Sequence, residues 1–187
     1  MTIDSASKFS HRLASPPDIP ALTGLMNAAI AELLKAHLTP AQVAASFEIM
    51  GLDSQLIADG TYFIVECEGA LAGSGGWSRR ATPFGGDHSP GRDARLLDPA
   101  TEAARVRAMY TNPQFARRGV GRLILDLCEA AAARAGFSRV ELVATMAGLP
   151  LYRACGYEDV EPFEQATKSG VAVPLMRMTK RVAAPTP

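Results

Sequence analysis

The sequence lacks several features that would assign it to a specialised class of protein. It carries no net charge, because 19 basic residues balance 19 acidic ones, and so it has no overall field that would recruit nucleic acid or an anionic membrane. It contains no run of 18 apolar residues, and its N-terminus has no apolar stretch of signal-peptide length. We therefore expect no nucleic-acid partner and no membrane association.

Cysteine is scarce as well. None of the three cysteines has the short C-x-x-C spacing of a zinc or redox site: Cys67, Cys128 and Cys155. This usage predicts no metal and favours a reducing, cytoplasmic location. Cys128 lies in an apolar helical stripe and is expected to be a core residue, and Cys155 has no basic partner nearby in the sequence. We therefore do not expect a cysteine nucleophile.

Lysine is rare, and arginine takes its place. The chain has four lysines and 15 arginines, and nine of the arginines fall between Arg79 and Arg122. Arginine presents a planar fork that matches phosphate oxygens, whereas lysine presents a point charge. The enrichment indicates either a phosphate-bearing ligand or a GC-rich genome, and composition alone does not separate the two.

The sequence contains enough apolar material for one domain of 187 residues, with 48% hydrophobic residues. We expect the domain to span residues 8–181, with flexible termini at 1–7 and 182–187. The apolar spacing predicts the order β-α-α-β-β-β-α-β-α-β-β, hence a mixed α/β fold. The predicted strands are 8–14, 61–67, 70–78, 104–110, 139–145, 157–163 and 171–178, and the predicted helices are 18–36, 39–57, 120–135 and 149–155.

Two further expectations concern individual elements. A buried stripe on the second helix is predicted from Val43, Phe47 and Met50. The alternation of arginine with small or apolar residues over 104–110 predicts a strand that turns one face to solvent or to an anionic partner. Residues 79–100 show no periodicity, and a loop of that length is expected to be functional or mobile.

Residues 115–124 join a strand to a strongly amphipathic helix. Gly119 and Gly121 would let the backbone approach a ligand closely, and the amides of a first helical turn bind phosphate. Two familiar glycine motifs do not fit: the dinucleotide fingerprint has Ile124 in place of its third glycine, and the P-loop needs a Gly-Lys pair that the chain lacks. A glycine turn that opens an ordinary helix remains the alternative.

Two motifs resemble those of the GNAT acetyltransferase superfamily. Residues 109–124 read MYTNPQFARRGVGRLI, which is similar to the family's strand that ends in x-x-P before [QR]-x-x-G-x-[GA] at a helix start. Residues 151–157 read LYRACGY, which resembles the family's downstream (L/F)-Y-x-x-x-G-(F/Y) segment. The resemblance covers about residues 8–180 and implies a single GNAT-like domain with a mostly antiparallel central sheet flanked by helices.

The resemblance also implies roles for particular residues. Acetyl-CoA would be the cosubstrate, with its pyrophosphate on the loop amides of Arg117, Arg118, Gly119, Val120, Gly121 and Arg122, and its pantetheine arm on the main chain of Met109, Tyr110 and Thr111. Tyr152 would be the general acid that protonates the leaving thiolate, since a phenol with a pKa of about 10 is protonated at neutral pH. The alternative for Tyr152 is an aromatic core residue.

The chain departs from the family pattern at three positions. Ala116 stands where the motif has Gln or Arg, and Thr145 stands where many relatives have Asn. Arg105 stands where some relatives place a glutamate base, so no carboxylate base carries over. His88 and Glu102 are weighed as replacements, with deprotonation through water as the default.

The acceptor side would be built by the first two helices and the 79–100 loop. The candidate acceptor residues are Trp77, Arg79, Asp87, His88 and Glu102, together with Arg80 and Asp93. We expect an N-acetyltransferase that moves acetyl to a primary amine by direct transfer, with a homodimer as a reasonable family-based expectation. The alternatives are an acyl-CoA sensor without turnover and an interaction protein that uses an exposed strand edge.

Overall fold

The computed structural model describes residues 8–183, which form a seven-stranded sheet with helices on both faces. Of the expected flexible termini, residues 1–7 and 184–187 lie outside the described residues. Val182 is part of the fold, because its amide donates a hydrogen bond to the carbonyl of Ser138 at 3.0 Å.

The sheet has the strand order β1-β2-β3-β4-β5-β7-β6. Its β4–β5 pair is parallel, and the other neighbours are antiparallel. The mixed, mostly antiparallel α/β fold predicted from the sequence is thereby confirmed. The strands are β1 Ser10–Leu13, β2 Tyr62–Cys67, β3 Ala70–Ser78, β4 Ala104–Thr111, β5 Arg139–Thr145, β6 Glu158–Ala166 and β7 Ala172–Arg181. The helices are α1 Ile19–Leu33, α2 Pro40–Ile49, α3 Ser54–Ala58, α4 Val120–Arg134 and α5 Leu149–Ala154.

The predicted continuous helix over 39–57 is wrong, because it breaks into α2 and α3. Its start is as expected: Thr39 and Gln42 form a capping box, and Pro40 occupies the first turn. The break follows at Gly51, whose φ of +148° is open to glycine but not to most residues. The hydroxyl of Tyr110 on β4 accepts a hydrogen bond from the Gly51 amide at 2.9 Å. A side chain from the sheet therefore fixes the end of α2.

The buried face of α2 also differs from the predicted stripe. Ala45, Ser46 and Ile49 are buried, whereas Phe47 is 38% exposed. Ser46 tolerates burial because its hydroxyl donates to the carbonyl of Gln42 at 2.8 Å. Ser46, whose hydroxyl is hydrogen-bonded within its own helix, thus lies on the buried face of α2, where the hydrophobic spacing had predicted Val43, Phe47 and Met50.

Two apolar clusters fill the two faces of the sheet. One lies between the sheet and α4 and includes Val106, Ile124, Leu125, Cys128 and Leu142. The other lies between the sheet and α1–α3; it includes Leu22, Met26, Ile30, Leu56 and Tyr62. The predicted core position of Cys128 is confirmed by its complete burial.

The alternation of β4 predicted that its arginines face solvent or an anionic partner. The structure shows instead that both arginines are paired with carboxylates inside the fold. Arg105 pairs with Glu141 on β5. Arg107 is only 3% exposed, and its guanidinium lies 2.8 Å from the carboxylate of Asp53, which precedes α3. Each guanidinium is held by a carboxylate from another element, and this pairing allows the two charges to lie within the protein.

Candidate active site

A cleft opens where β4 and β5 part. The two parallel strands pair only at Ala104–Val140 and Arg105–Glu141. Beyond that point both strands line a cavity of about 860 Å³, which residues from α1, α2, α4 and α5 complete. A cavity of this size is in the range of small-molecule and cofactor sites.

A β-bulge in β4 shapes the floor of the cleft. The register with β3 shifts by one residue between the pairs Ser74–Tyr110 and Gly76–Arg107, and Ala108 has a φ of +52°. The buried hydroxyl of Tyr62 donates a hydrogen bond to the carbonyl of Ala108 at 2.8 Å. This bond stabilises a backbone conformation that costs a non-glycine residue about 1–2 kcal/mol. Met109 and Thr111, which follow the bulge, line the cavity.

The N-terminus of α4 forms one end of the cavity. Its helix cap is Gly119 with a φ of +91°, and Arg117 two residues earlier has a φ of +63°. The first-turn amides of Val120, Gly121 and Arg122 have no acceptor one turn earlier in the helix. Together with the positive end of the helix dipole and the charges of Arg117 and Arg122, they form a site suited to an anion.

Packing places this helix end directly against the sheet. A Cβ at Gly73 would lie 2.5 Å from Val120, and one at Gly75 would lie 2.6 Å from Ile124. Glycines on β3 therefore let α4 approach the strand. Gly121 has a similar role on the other side of α4, because a Cβ there would lie 2.6 Å from Leu151 of α5. Its small size serves the contact of α4 with α5, and not only the approach of a ligand as the sequence had suggested.

Tyr152 on α5 lines the same cavity and is half-buried. Its ring packs edge-on against Tyr157 at a centroid distance of 5.9 Å, and Gly148 leaves the space that the ring occupies, since a Cβ there would lie 2.6 Å from it. Burial raises the pKa of Tyr152 above the ordinary value of a phenol. Within the described residues its hydroxyl has no hydrogen-bond partner. The phenol is therefore protonated at neutral pH and has a proton to donate.

The other end of the cavity is mostly apolar. It is lined by Ile30 and Leu33 of α1, Leu34 at the end of that helix, Ile49 of α2, Met50 directly after it, Phe84 of the 79–100 loop and Leu175 of β7, with His37 from the turn after α1. The first two helices and the 79–100 loop thus meet at the cleft, as the sequence predicted for the acceptor side. No aspartate or glutamate of residues 8–183 lines the cavity.

The individual acceptor candidates lie elsewhere. Trp77 is 5% exposed and packs edge-on against Phe137 at 6.3 Å, and Arg79 stacks over its ring at 5.8 Å. Trp77 belongs to the apolar cluster on the α4 side of the sheet and is not among the residues that line the cavity. Arg118, a candidate for the cofactor loop, also lies outside the lining, with its guanidinium 5.0 Å from the ring centroid of Phe115.

The loop candidates hold the loop in place instead. The carboxylate of Asp87 accepts a hydrogen bond from the Ser54 amide at 3.0 Å, and a ring nitrogen of His88 lies 3.0 Å from the carbonyl of Phe47. Glu102 forms two hydrogen bonds with Arg95. Arg80 likewise pairs with Asp59 at 2.7 Å, and Asp93 accepts from the Arg95 amide at 2.9 Å. These local hydrogen bonds and ion pairs stabilise the loop, and none of the five candidate residues lines the cavity.

The sequence did not predict two features at or near the cleft. Asp53 lies between two guanidiniums, those of Arg92 at 2.9 Å and Arg107 at 2.8 Å, and so fastens the loop to β4. His37, in the turn between α1 and α2, lines the cleft. Neither belongs to a local motif, and their positions follow only from the tertiary fold.

The cysteines take no part in the cleft. All three are buried free thiols, and none lines the cavity. Burial raises the pKa values of Cys128 and Cys155, which opposes formation of a thiolate nucleophile. Among residues 8–183, no three His, Cys, Asp or Glu side chains cluster as metal ligands, and no described helix has the length and apolar character needed to cross a membrane.

Solved structures with this fold include several acetyltransferases. A GCN5-related N-acetyltransferase from Rhodopseudomonas palustris aligns with a TM-score of 0.68 and 17% identity, over 92% of this chain and 95% of its own. A phosphinothricin acetyltransferase from Sinorhizobium meliloti, solved with acetyl-CoA, aligns with a TM-score of 0.61 and 18% identity over 96% and 91%. PaiA N-acetyltransferase from Thermoplasma acidophilum, solved with coenzyme A, has a TM-score of 0.61 and 10% identity over 92% and 98%.

No curated protein sequence matches the chain. The family assignment therefore comes from the match to the sequence model of the whole family and not from one related protein. Residues 25–157, more than half of the chain, match the acetyltransferase (GNAT) family. The match contains both the helix cap at Gly119 and Tyr152, and it supports acetyl-CoA-dependent acetyl transfer in general. With the splayed strands, the bulge and the glycine-capped helix in place, the chain belongs to the GNAT acetyltransferase family.

Proposed function

We propose that this protein transfers the acetyl group of acetyl-CoA to a primary amine of a small molecule or peptide, directly within a ternary complex. The observation that carries the proposal is that one cavity of about 860 Å³ joins the N-terminus of α4, the side chain of Tyr152 and an apolar chamber. A cosubstrate bound at the N-terminus of α4 and an amine bound in the apolar chamber would meet next to the Tyr152 phenol.

Acetyl-CoA fits the polar end of this cavity. Its pyrophosphate would accept hydrogen bonds from the free amides of residues 117–122, with Arg117 and Arg122 supplying charge. Its pantetheine amides would pair with the main chain of Met109 and Thr111, which the splay of β4 from β5 leaves open. Related folds solved with acetyl-CoA or coenzyme A support this assignment.

The amine nitrogen would attack the carbonyl carbon of the thioester. A carbon–nitrogen bond forms, the carbon–sulfur bond breaks, and the sulfur takes the proton of the Tyr152 hydroxyl, which solvent restores afterwards. The amine gives its own proton to water, which is the default once no carboxylate of the described residues lines the cavity. His37 is the imidazole that lines it and is the alternative acceptor of that proton. The buried thiols, held protonated and outside the cleft, argue against an acetyl-cysteine intermediate.

Initial-rate kinetics test the proposal. Free-thiol release is measured while acetyl-CoA and an amine are both varied, and direct transfer predicts intersecting double-reciprocal lines. Cys155→Ser should keep the same pattern. Parallel lines would indicate a covalent acetyl-enzyme instead, and tight acetyl-CoA binding without thiol release for any amine would favour the sensor.

The proposal includes a cytoplasmic location. In that reducing compartment the three cysteines would stay as the free thiols that the fold buries.

A further inference from the structure

The acceptor chamber has a composition that selects for one kind of amine. From the proposed acetyl transfer, on which this step rests, we infer that the acceptor is a primary monoamine attached to an apolar alkyl or aryl body, without a second positive charge. Two independent properties of the chamber carry the inference: its apolar walls and the sign of the charge around it.

The walls come from four separate elements. The cavity is lined by Leu33 of α1, Met50 at the end of α2, Phe84 of the 79–100 loop and Leu175 of β7. Leu175 belongs to the apolar cluster on that side of the sheet, and the other three pack against it. Phe84 is further held by the ring of Phe163 at a centroid distance of 6.0 Å. These walls are part of the core packing, so they form a fixed apolar surface that gains free energy when an apolar body covers it.

The fixed charges among the described side chains that line the cavity are all guanidiniums. The charged or titratable side chains that line the whole cavity are His37, Arg107, Arg117, Arg122, Tyr110 and Tyr152, and none of them is a carboxylate. Arg107 shares its one buried carboxylate, Asp53, with Arg92. Asp53 itself does not line the cavity. A second ammonium group on the acceptor would therefore be desolvated against the apolar walls with guanidiniums, and no carboxylate, among the described lining side chains.

The same surroundings prepare a monoamine for attack. An ammonium group loses stability when it is desolvated and when another cation is near, and both effects favour its neutral, nucleophilic form. Such a site needs no carboxylate base, because the amine gives up its proton to water as it enters.

A panel of amines tests the inference on the wild-type protein. Phenethylamine and hexylamine represent apolar monoamines, and cadaverine and spermidine represent amines with additional charge. With acetyl-CoA saturating, kcat/KM for the apolar monoamines is expected to exceed that for the polyamines by at least about tenfold, the scale of apolar discrimination in an enzyme pocket.

Variants of Leu33 separate charge from size. Leu33→Glu places a carboxylate in the chamber, whereas Leu33→Gln has nearly the same shape without the charge. We expect Leu33→Glu, but not Leu33→Gln, to move the kcat/KM ratio of cadaverine to phenethylamine upward by about tenfold, as a new ion pair of moderate strength would. Phe47→Glu on the exposed face of α2 is the matched control and leaves the ratio unchanged.

Each outcome bears on a defined claim. A wild-type protein that acetylates polyamines better than apolar monoamines overturns the acceptor class but leaves N-acetyl transfer intact. A protein that binds acetyl-CoA and acetylates no member of the panel overturns the acceptor class. The proposed function falls with it only if peptide amines also give no thiol release. A cadaverine ratio that rises equally in Leu33→Gln would show that charge is not what the chamber selects.

Discussion

Asp53 is the residue on which the burial of Arg107 depends, and it also pairs with the partly exposed Arg92. It is 1% exposed, and its carboxylate is the shared partner of Arg92 and Arg107. Asp53→Asn would leave both guanidiniums without a counter-charge, and we expect a loss of about 3–5 kcal/mol in the free energy of unfolding, as when one partner of a buried pair is removed. Urea unfolding at pH 7 measures it.

The matched control for that variant is Glu102→Gln. Glu102 also binds an arginine through two hydrogen bonds, yet its pair with Arg95 lies at the surface, so its loss should leave the unfolding free energy almost unchanged. If Asp53→Asn cost less than about 1 kcal/mol, the value of an exposed pair, the buried cluster would not hold the loop to β4.

Tyr152 makes a prediction about pH. A general acid acts in its protonated form, so kcat is lost as pH rises through its pKa. Burial raises that pKa above the ordinary phenol value. We therefore expect no Tyr152-linked decline of kcat up to about pH 9.5, where a phenol with an unperturbed pKa near 10 would already be about a quarter ionised. The pH profile of kcat, taken with both substrates saturating, measures this. An alkaline decline centred near neutrality that vanishes in Tyr152→Phe would contradict the assignment.

At the scale of elements, the loop before α4 separates two neighbouring arginines. Arg117 lines the cavity, whereas Arg118 stacks on Phe115 outside it. Arg117→Ala should weaken coenzyme A binding by about tenfold or more, since a charge-assisted hydrogen bond contributes about 1.5–3 kcal/mol. Arg118→Ala should change the affinity by much less.

Isothermal titration with coenzyme A and with dephospho-coenzyme A measures both effects. If Arg117 binds the 3′-phosphate, its loss affects only coenzyme A, and if it binds the pyrophosphate, both ligands lose equally. Equal losses in the two variants would mean that the loop acts through its overall charge and not through the position of Arg117.

Elements whose hydrophobic pattern is strong were predicted well from the sequence. The apolar stripe of α4 and the strand-like segments 61–67, 70–78 and 139–145 place α4, β2, β3 and β5 within a few residues of their observed ends. The division of α2 from α3 was not predictable in this way, because the hydrogen bond that fixes it comes from Tyr110, 59 residues away. The direction of Arg107 was missed for the same reason: its partner Asp53 lies on another element.

Over the whole molecule, the cosubstrate half of the cleft was largely predictable from the sequence, and the acceptor half was not. The cosubstrate half is built from one continuous segment, 109–122, and from Tyr152, so a local motif contains most of it. The acceptor half is assembled from α1, α2, the 79–100 loop and β7. Trp77 and the charged loop residues were proposed there from their position in the chain, but core packing and local ion pairs hold them elsewhere. Their roles in binding remain predictions, and the apolar residues that do line the chamber carry no sequence signature beyond hydrophobicity.

The central claim is that Tyr152 supplies the proton to the leaving thiolate, and Tyr152→Phe tests it most directly. The variant keeps the ring that packs on Tyr157 and removes one hydroxyl, while Tyr157→Phe removes a hydroxyl from the neighbouring ring, outside the cavity. With saturating acetyl-CoA and phenethylamine, the account predicts that kcat falls about 10²-fold in Tyr152→Phe, with KM for acetyl-CoA and the melting temperature nearly unchanged, and that Tyr157→Phe keeps its kcat. A Tyr152→Phe protein that retains its kcat would contradict the account, most clearly if its melting temperature fell, because Tyr152 would then be an aromatic core residue and not the acid.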